Sequence, residues 1–150
     1  MSISIRDARA ADAETIVEFN ARIALETEDE KLDPETVASG VRKVLDDRSL
    51  GRYWVAEADG EIVGQIMTTF EWSDWRNGML WWIQSVYIRP DHRRRGVFSR
   101  LYRHVESLAR EADEVVGLRL YVEKENQRAQ LTYRNLGMTM TGYRIMQVLF

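Results

Sequence analysis

At 150 residues, 45% of them hydrophobic and 30% charged, the chain has the length and composition of one globular domain spanning residues 1–150, which excludes disorder, collagen-like repeats and a coiled coil. The net charge of −3 gives no electrostatic ground for nucleic-acid binding, and the absence of cysteine excludes a disulfide framework, a thiolate metal site and a cysteine nucleophile. No apolar run approaches the ~18 residues of a membrane span and Met1 to Asp7 lacks a leader pattern, so a soluble, cytoplasmic protein without a membrane partner is expected.

Ser2 to Asp7 alternates Ile3 and Ile5 with polar residues and predicts a short strand. Ala11 to Leu25 keeps helical spacing through Ala13, Ile16, Val17, Ile23 and Ala24. Asp33-Pro34 reads as an N-cap followed by proline at the first helical position, opening a helix through Val37, Val41, Val44 and Leu45. Tyr53 to Ala58 and Ile62 to Trp72 read as strands joined by Asp59-Gly60, a tight-hairpin signal. A third strand, Met79 to Arg89, follows the turn at Asn77-Gly78 and stops at Pro90. Gly96 opens a helix with the apolar face Val97, Leu101, Val105, Leu108 and Ala112. Leu118 to Val122 is a candidate buried strand, Asn126 to Leu136 a short helix ended by Gly137, and Thr139 to Phe150 a final strand. This order predicts one mixed sheet with helices packed against it.

The segment from Val86 to Leu101 carries the most chemistry. A strand ends at Pro90, a basic loop follows, and Gly96 then starts a helix. The first N–H groups of a helix lack intrahelical partners and carry partial positive charge, and glycine lets backbone come close to a ligand. Together these features make an anion site suited to a pyrophosphate, with Arg93, Arg94 and Arg95 as donors at its rim. A solvated basic turn is the alternative reading. Neither a P-loop nor Gly-x-Gly-x-x-Gly is present.

Arg93-x-x-Gly96, placed after a strand ending Val86-x-Ile88-x-Pro90, resembles the acetyl-CoA-binding motif of the GNAT superfamily of N-acetyltransferases, Arg/Gln-x-x-Gly-x-Gly/Ala. A second signature similar to that family's follows: Asn126-x-x-Ala129-x-x-x-Tyr133-x-x-x-Gly137-Met138. The element order matches as well, so the resemblance covers nearly the whole chain. It implies an α/β, GNAT-like (acyl-CoA N-acyltransferase) fold: a mixed, mostly antiparallel sheet with two splayed central parallel strands and flanking helices. One residue departs from the motif. The second small position is Phe98, whose phenyl group must point away if the backbone is to approach a phosphate.

What the resemblance implies can be stated residue by residue. Acetyl-CoA, the co-substrate, would lie where the strands around Val86–Ile88 and Leu118–Val122 splay apart. Backbone groups of Val86 and Ile88 would pair with its pantetheine arm, and an N–H near Val86 would polarise the thioester carbonyl and stabilise the oxyanion. The pyrophosphate would sit on the amides of Arg93, Arg94, Arg95, Gly96, Val97 and Phe98. Asn126 would hydrogen-bond the pantetheine. Tyr133 would be the general acid: a phenol, pKa about 10, stays protonated at neutral pH and can donate to a thiolate whose parent thiol titrates near about 8.5. The alternative for Tyr133 is a core tyrosine. The base is a carboxylate, with Glu123, and Glu26 and Glu28 in the loop after the first helix, as candidates, each otherwise a solvated surface charge.

For the acceptor, Thr69 to Trp75 and the acidic segment Glu26–Glu35 resemble the spermidine/spermine and related small-amine acetyltransferases. Glu26 would attract a cation, and Trp72, Trp75 and Trp82 would offer cation–π faces, unless the tryptophans serve the core or a dimer interface. Where that subgroup has an acid near the reacting amine this chain has Gln84, which can accept a hydrogen bond but take no proton. His92 and His104 lack metal-ligand partners at useful spacing and His104 reads as lying on an exposed helix face, so no metal is expected. The expectation is therefore direct acetyl transfer to a primary amine in a ternary complex, the acceptor a small cationic amine or amino-acid-like metabolite. Alternatives are a protein lysine or N-terminal acetyltransferase and a non-catalytic acyl-CoA-binding module; many relatives are homodimers. The charge is also segregated: Glu26–Glu35 holds six acids and one base, Arg89–Arg103 six bases and one acid.

Overall fold

Asp59 and Gly60 both take positive φ, 52° and 79°, the backbone that a tight two-residue hairpin turn needs. They join β2 (Arg52–Ala58) to β3 (Glu61–Ser73) in this computed structural model, which describes residues 2–150. Before them come β1 (Ile3–Asp7), α1 (Ala13–Glu28) and α2 (Pro34–Asp46); after them β4 (Gly78–Ile88), α3 (Val97–Glu111), β5 (Val115–Leu120) and α4 (Gln127–Asn135). The chain divides into two compact units, one ending at Leu120 and the other Tyr121–Phe150.

The first unit is a five-stranded sheet in the order β1-β2-β3-β4-β5. Its pairs are antiparallel except β4 with β5, which are parallel and connected through α3. Side chains alternate between the faces of a strand, and β2 shows the result. Tyr53 packs with Ile16 of α1, Val41 of α2 and Met67 of β3, while Trp54, fully buried, turns to the other face and meets His104 of α3 edge-on at 6.5 Å. Val97, Leu101 and Val105, spaced one turn apart, put one stripe of α3 wholly inside. Asp33 caps α2 by accepting from the Thr36 N–H at 3.0 Å, with Pro34 next to it. Buried Asp12 accepts two bonds from the Arg6 guanidinium, 2.8 and 3.0 Å, and one from the Arg9 N–H, 2.7 Å. Those donors hold its carboxyl below the usual range, the Arg6 bonds contributing most and burial opposing them.

In the second unit Asn126 caps α4, its Oδ1 accepting from the Ala129 N–H at 3.0 Å. The helix ends with Met138 N–H donating to the Tyr133 carbonyl and Gly137 N–H to that of Arg134, 3.0 and 2.9 Å. Gly137 sits at φ 100° between them, the pattern of a Schellman stop.

Four expectations need correcting. Glu26 and Glu28 are in the last turn of α1, not in a loop after it. Glutamate sustains a helix, and the chain turns out only at Asp29, which takes φ 50°. The strand expected at Leu118–Val122 runs Val115–Leu120 and is half-buried rather than buried. Among the described residues it has β4 as its one strand partner and so forms an edge of the sheet. Thr139–Phe150 is not a strand; without a ladder partner its backbone has no strand to pair with, and Met146 and Leu149 are 96% and 81% exposed. His104 is half-buried against Trp54 instead of lying on an exposed face. None of the described helices is long and apolar enough to cross a membrane.

Candidate active site

The pairing of β4 with β5 begins at Met79/Val115 and ends at Ile83/Leu120. β4 itself continues to Ile88, so its last residues keep β3 on one side and have no β5 partner on the other. Successive residues of a strand point their backbone groups to opposite sides. Arg89 N–H donates to the Val63 carbonyl of β3 at 2.9 Å, so Tyr87, two residues back, also faces β3. Val86 and Ile88 lie on the intervening positions and direct their N–H groups to the open side. The two residues expected to pair with a pantetheine arm thus lie on an edge without a strand partner, where the Ile88 carbonyl is taken by Arg93 Nε at 2.8 Å.

A bulge sets where this edge begins. Gln65 pairs with Tyr87 and Met67 with Gln84, so β4 gains a residue over β3 there. Ser85 absorbs it at φ 50°, a backbone region costly for a non-glycine residue. Beneath the bulge lies a polar cluster that the sequence reading missed. The Gln65 side-chain amide is fully buried and donates to the Ser85 carbonyl at 3.0 Å and to Asn20 Oδ1 at 2.9 Å. Asn20 in turn donates to the Tyr53 hydroxyl at 3.0 Å. Burial pushes the Tyr53 phenol up, with Asn20 and Ser85 holding it back. A lone amide in the apolar run from Ile62 to Met67 was the available signal.

Beyond β4 the chain makes a short turn at Pro90–His92, then the basic loop. Arg94 and Gly96 take positive φ, 63° and 79°, and α3 starts at Val97. The first helical bond is from Arg100 N–H to the Gly96 carbonyl, 3.1 Å, so the amides just before Arg100 face out of the N-terminal end. Phe98 is half-buried with its ring tilted against Tyr102 at 6.1 Å, one turn along the helix. Gly64 lets β3 pass close to this corner. A Cβ there would stand 2.9 Å from Ile88 Cδ1, 3.1 Å from the Tyr87 carbonyl oxygen and 3.3 Å from Val97 Cγ1.

Arg93 is turned inward. Its Nε donates to the Ile88 carbonyl at 2.8 Å, a terminal nitrogen to Glu26 at 3.0 Å, and its guanidinium lies 5.3 Å over the Tyr87 ring. Tyr87, buried against Phe19, donates its hydroxyl to the same Glu26 carboxylate at 3.2 Å. The acidic and basic segments are therefore bridged through Glu26 and Arg93. Arg94 and Arg95 are exposed on the loop.

On the same strands Gln84 donates to the Thr69 hydroxyl at 2.7 Å, which leaves its carbonyl oxygen to accept. Glu71, also missed in sequence, accepts from Trp82 Nε1 at 2.7 Å and pairs with Arg119 at 3.4 Å. The tryptophans divide. Trp54 and Trp81 are core, whereas Trp72 is 55% exposed and Trp75, in the turn after β3, 87% exposed. Glu28 ends α1 in solvent. His92 bonds Asp91 at 3.0 Å.

In the second unit Glu123 uses its carboxylate to accept from the Glu125 N–H at 2.8 Å. Asn126 keeps its side-chain N–H₂ beyond the oxygen it spends on the cap. Tyr133 is half-buried, and burial pushes its phenol above the ordinary value of 10.0.

A model of the acetyltransferase (GNAT) family matches residues 14–138 of the chain. Among solved structures, a possible acetyltransferase from Clostridium difficile 630 is 42% identical, with a TM-score of 0.92 over 100% of this chain and 99% of that one. A predicted acetyltransferase from Clostridium acetobutylicum, solved with acetyl-CoA, is 18% identical, with a TM-score of 0.80 over 98% and 96% of the two chains. The fold is also that of AAC(6')-Iy, solved with the bisubstrate analogue CoA-S-monomethyl-acetylneamine: 16% identity, TM-score 0.80, 100% and 99% covered. No curated protein matches.

Proposed function

The chain belongs to the acetyltransferase (GNAT) family, and from that premise we propose that it moves the acetyl group of acetyl-CoA directly to a primary amine on a small cationic or amino-acid-like acceptor. It is an acetyl-CoA-dependent acetyltransferase. The observation that carries the proposal is the open edge of β4 at Val86 and Ile88, beside the N-terminal end of α3. An extended amide-bearing arm can pair with such an edge as a strand would, and a helix N-terminus suits a pyrophosphate. The residues present therefore fit the co-substrate, which supplies an activated acetyl thioester.

In this reading the Val86 carbonyl and the Ile88 N–H hold the arm, and the Val86 N–H polarises the acetyl carbonyl. The amides from Arg94 through Phe98 take the phosphates, with Arg94 and Arg95 at the rim; Arg93 shapes the loop instead of reaching out. Asn126 donates to the arm through its N–H₂. The acceptor amine loses a proton and gains the acetyl group as its N–C bond forms; the C–S bond breaks, and Tyr133 gives its proton to sulfur. Burial supports that role by keeping the phenol protonated. Among the three candidate bases Glu28 has the uncommitted carboxylate, since Glu26 is bound to Arg93 and Glu123 to a backbone N–H. The Gln84 carbonyl oxygen and the exposed faces of Trp72 and Trp75 suit an ammonium group.

A panel of amines, followed by thiol release and by mass of the product, tests this. Turnover with a small primary amine is expected, and acetyl-CoA alone should raise the melting temperature by mass action. No thermal shift would remove the acetyl-CoA site, and a shift without turnover would leave a binding module.

A further inference from the structure

The polar cluster under the β4 bulge has a direction built into it. The Ser85 carbonyl can only accept, so the Gln65 amide must present its N–H₂ there, as it does at 3.0 Å. The second N–H of that group then falls on Asn20 Oδ1 at 2.9 Å, which turns the Asn20 N–H₂ to the Tyr53 hydroxyl at 3.0 Å. Reversing the Gln65 amide would set its oxygen against two acceptors, and reversing Asn20 would set its N–H₂ against that of Gln65. Side chains from α1, β2 and β3 thus fix one backbone carbonyl of β4, at a residue held at φ 50°. Gln65 Oε1 has no partner among the described residues although it is buried. An apolar side chain there would leave both the Ser85 carbonyl and Asn20 Oδ1 without their donor, so the amide is what satisfies the two together.

Ser85 and Val86 share a peptide plane: the carbonyl that Gln65 holds and the Val86 N–H are its two ends. They point in opposite directions in a trans peptide, so fixing one aims the other. We infer that Gln65, oriented by Asn20 and Tyr53, is a positioning residue that aims the Val86 N–H at the acetyl carbonyl oxygen. This rests on the reading in which Val86 polarises that carbonyl, and the test separates the two.

Acetyl-CoA labelled with carbon-13 at the carbonyl is bound to the protein and its carbonyl stretch recorded, alongside affinity by calorimetry and kcat with an accepted amine. In the wild type the stretch should lie at lower frequency than for the free thioester in water; an unshifted band would overturn the Val86 reading itself. Gln65→Met keeps the volume and removes the donor. It should bind acetyl-CoA within about threefold of wild type, return the band toward the free position and lower kcat at least about tenfold, a fraction of the loss on deleting an oxyanion donor outright. A wild-type band and kcat in Gln65→Met, with the wild-type band shifted, would overturn the positioning role alone. Gln65→Glu retains the shape while its ionised carboxylate repels the Ser85 carbonyl, and a thermal melt at each pH separates loss of fold from loss of aim. Its kcat relative to wild type should rise as pH falls and the carboxyl gains a proton to donate. A pH profile parallel to that of the wild type would overturn the proposal.

Discussion

The Glu26 carboxylate and the Arg93 guanidinium lie 3.0 Å apart, although 67 residues separate them in the chain. By sequence each is a candidate ligand group, one for a cationic acceptor and one for a phosphate. Paired, they fasten the basic loop to the end of α1, and Arg93 also covers the Ile88 carbonyl.

Arg93→Ala and Glu26→Gln should therefore weaken acetyl-CoA binding by similar, small factors, about threefold each, as for an exposed ion pair. Because both remove one clasp, the double variant should lose little more than either single one. Calorimetry on the four proteins measures this. Independent, additive losses, or a much larger and steeply salt-dependent loss for Arg93→Ala, would mean that Arg93 meets the phosphates directly.

Tyr133→Phe should lower kcat about 100-fold, the scale of a general acid, and leave acetyl-CoA affinity within about twofold. The pH dependence has a definite sign. An acid works while protonated, and burial raises this phenol above 10.0, so its loss of activity should begin on the alkaline side of pH 10. An unchanged kcat in the phenylalanine variant would remove Tyr133 from the acid role.

The Arg6–Asp12 pair makes an acid-stability prediction. The Asp12 carboxyl titrates below its ordinary 3.8 in the folded chain. It therefore contributes stability that is present above that value and lost as pH falls through the lower, folded-state value. Asp12→Asn should cost about 2 kcal/mol at neutral pH, and its melting temperature should fall less steeply than the wild type's below pH 4. Parallel acid curves would show that Asp12 is not the titrating group.

Gly64→Ala places a methyl group against Ile88 Cδ1 and the Tyr87 carbonyl. Overpacking of this kind costs about 1–3 kcal/mol. Because the displaced residues belong to the open edge of β4, KM for acetyl-CoA should rise as well. A destabilised variant with an unchanged KM would mean that α3 alone absorbs the strain.

Local signals carried much of the architecture. Asp59-Gly60, Asp33-Pro34 and Gly137 each sit where their backbone chemistry places a turn, a cap or a stop. The apolar stripe of α3 was equally plain, being a matter of spacing within one element. The glutamates of α1 were misplaced because an acidic run reads as a loop, while nothing in it breaks a helix before Asp29. The strand expected at Thr139–Phe150 also requires a partner, and sequence pattern does not supply one. The site was legible where it depends on local order, Val86 to Phe98. Gln65, Asn20 and Tyr53 were hidden because their roles come from tertiary pairing. So was the bond between Glu26 and Arg93.

The early end of the β4–β5 ladder also bears on how such a chain can change over time. Recognition through main-chain N–H groups does not depend on which side chains Gln84 to Ile88 carry, provided the strand and its bulge persist. Side chains there and on the neighbouring strands can vary to suit new acceptors while the hold on the donor is kept. Diversification of substrate should therefore be found in residues such as Gln84, Glu71 and Trp72, with the backbone course of β4 held constant.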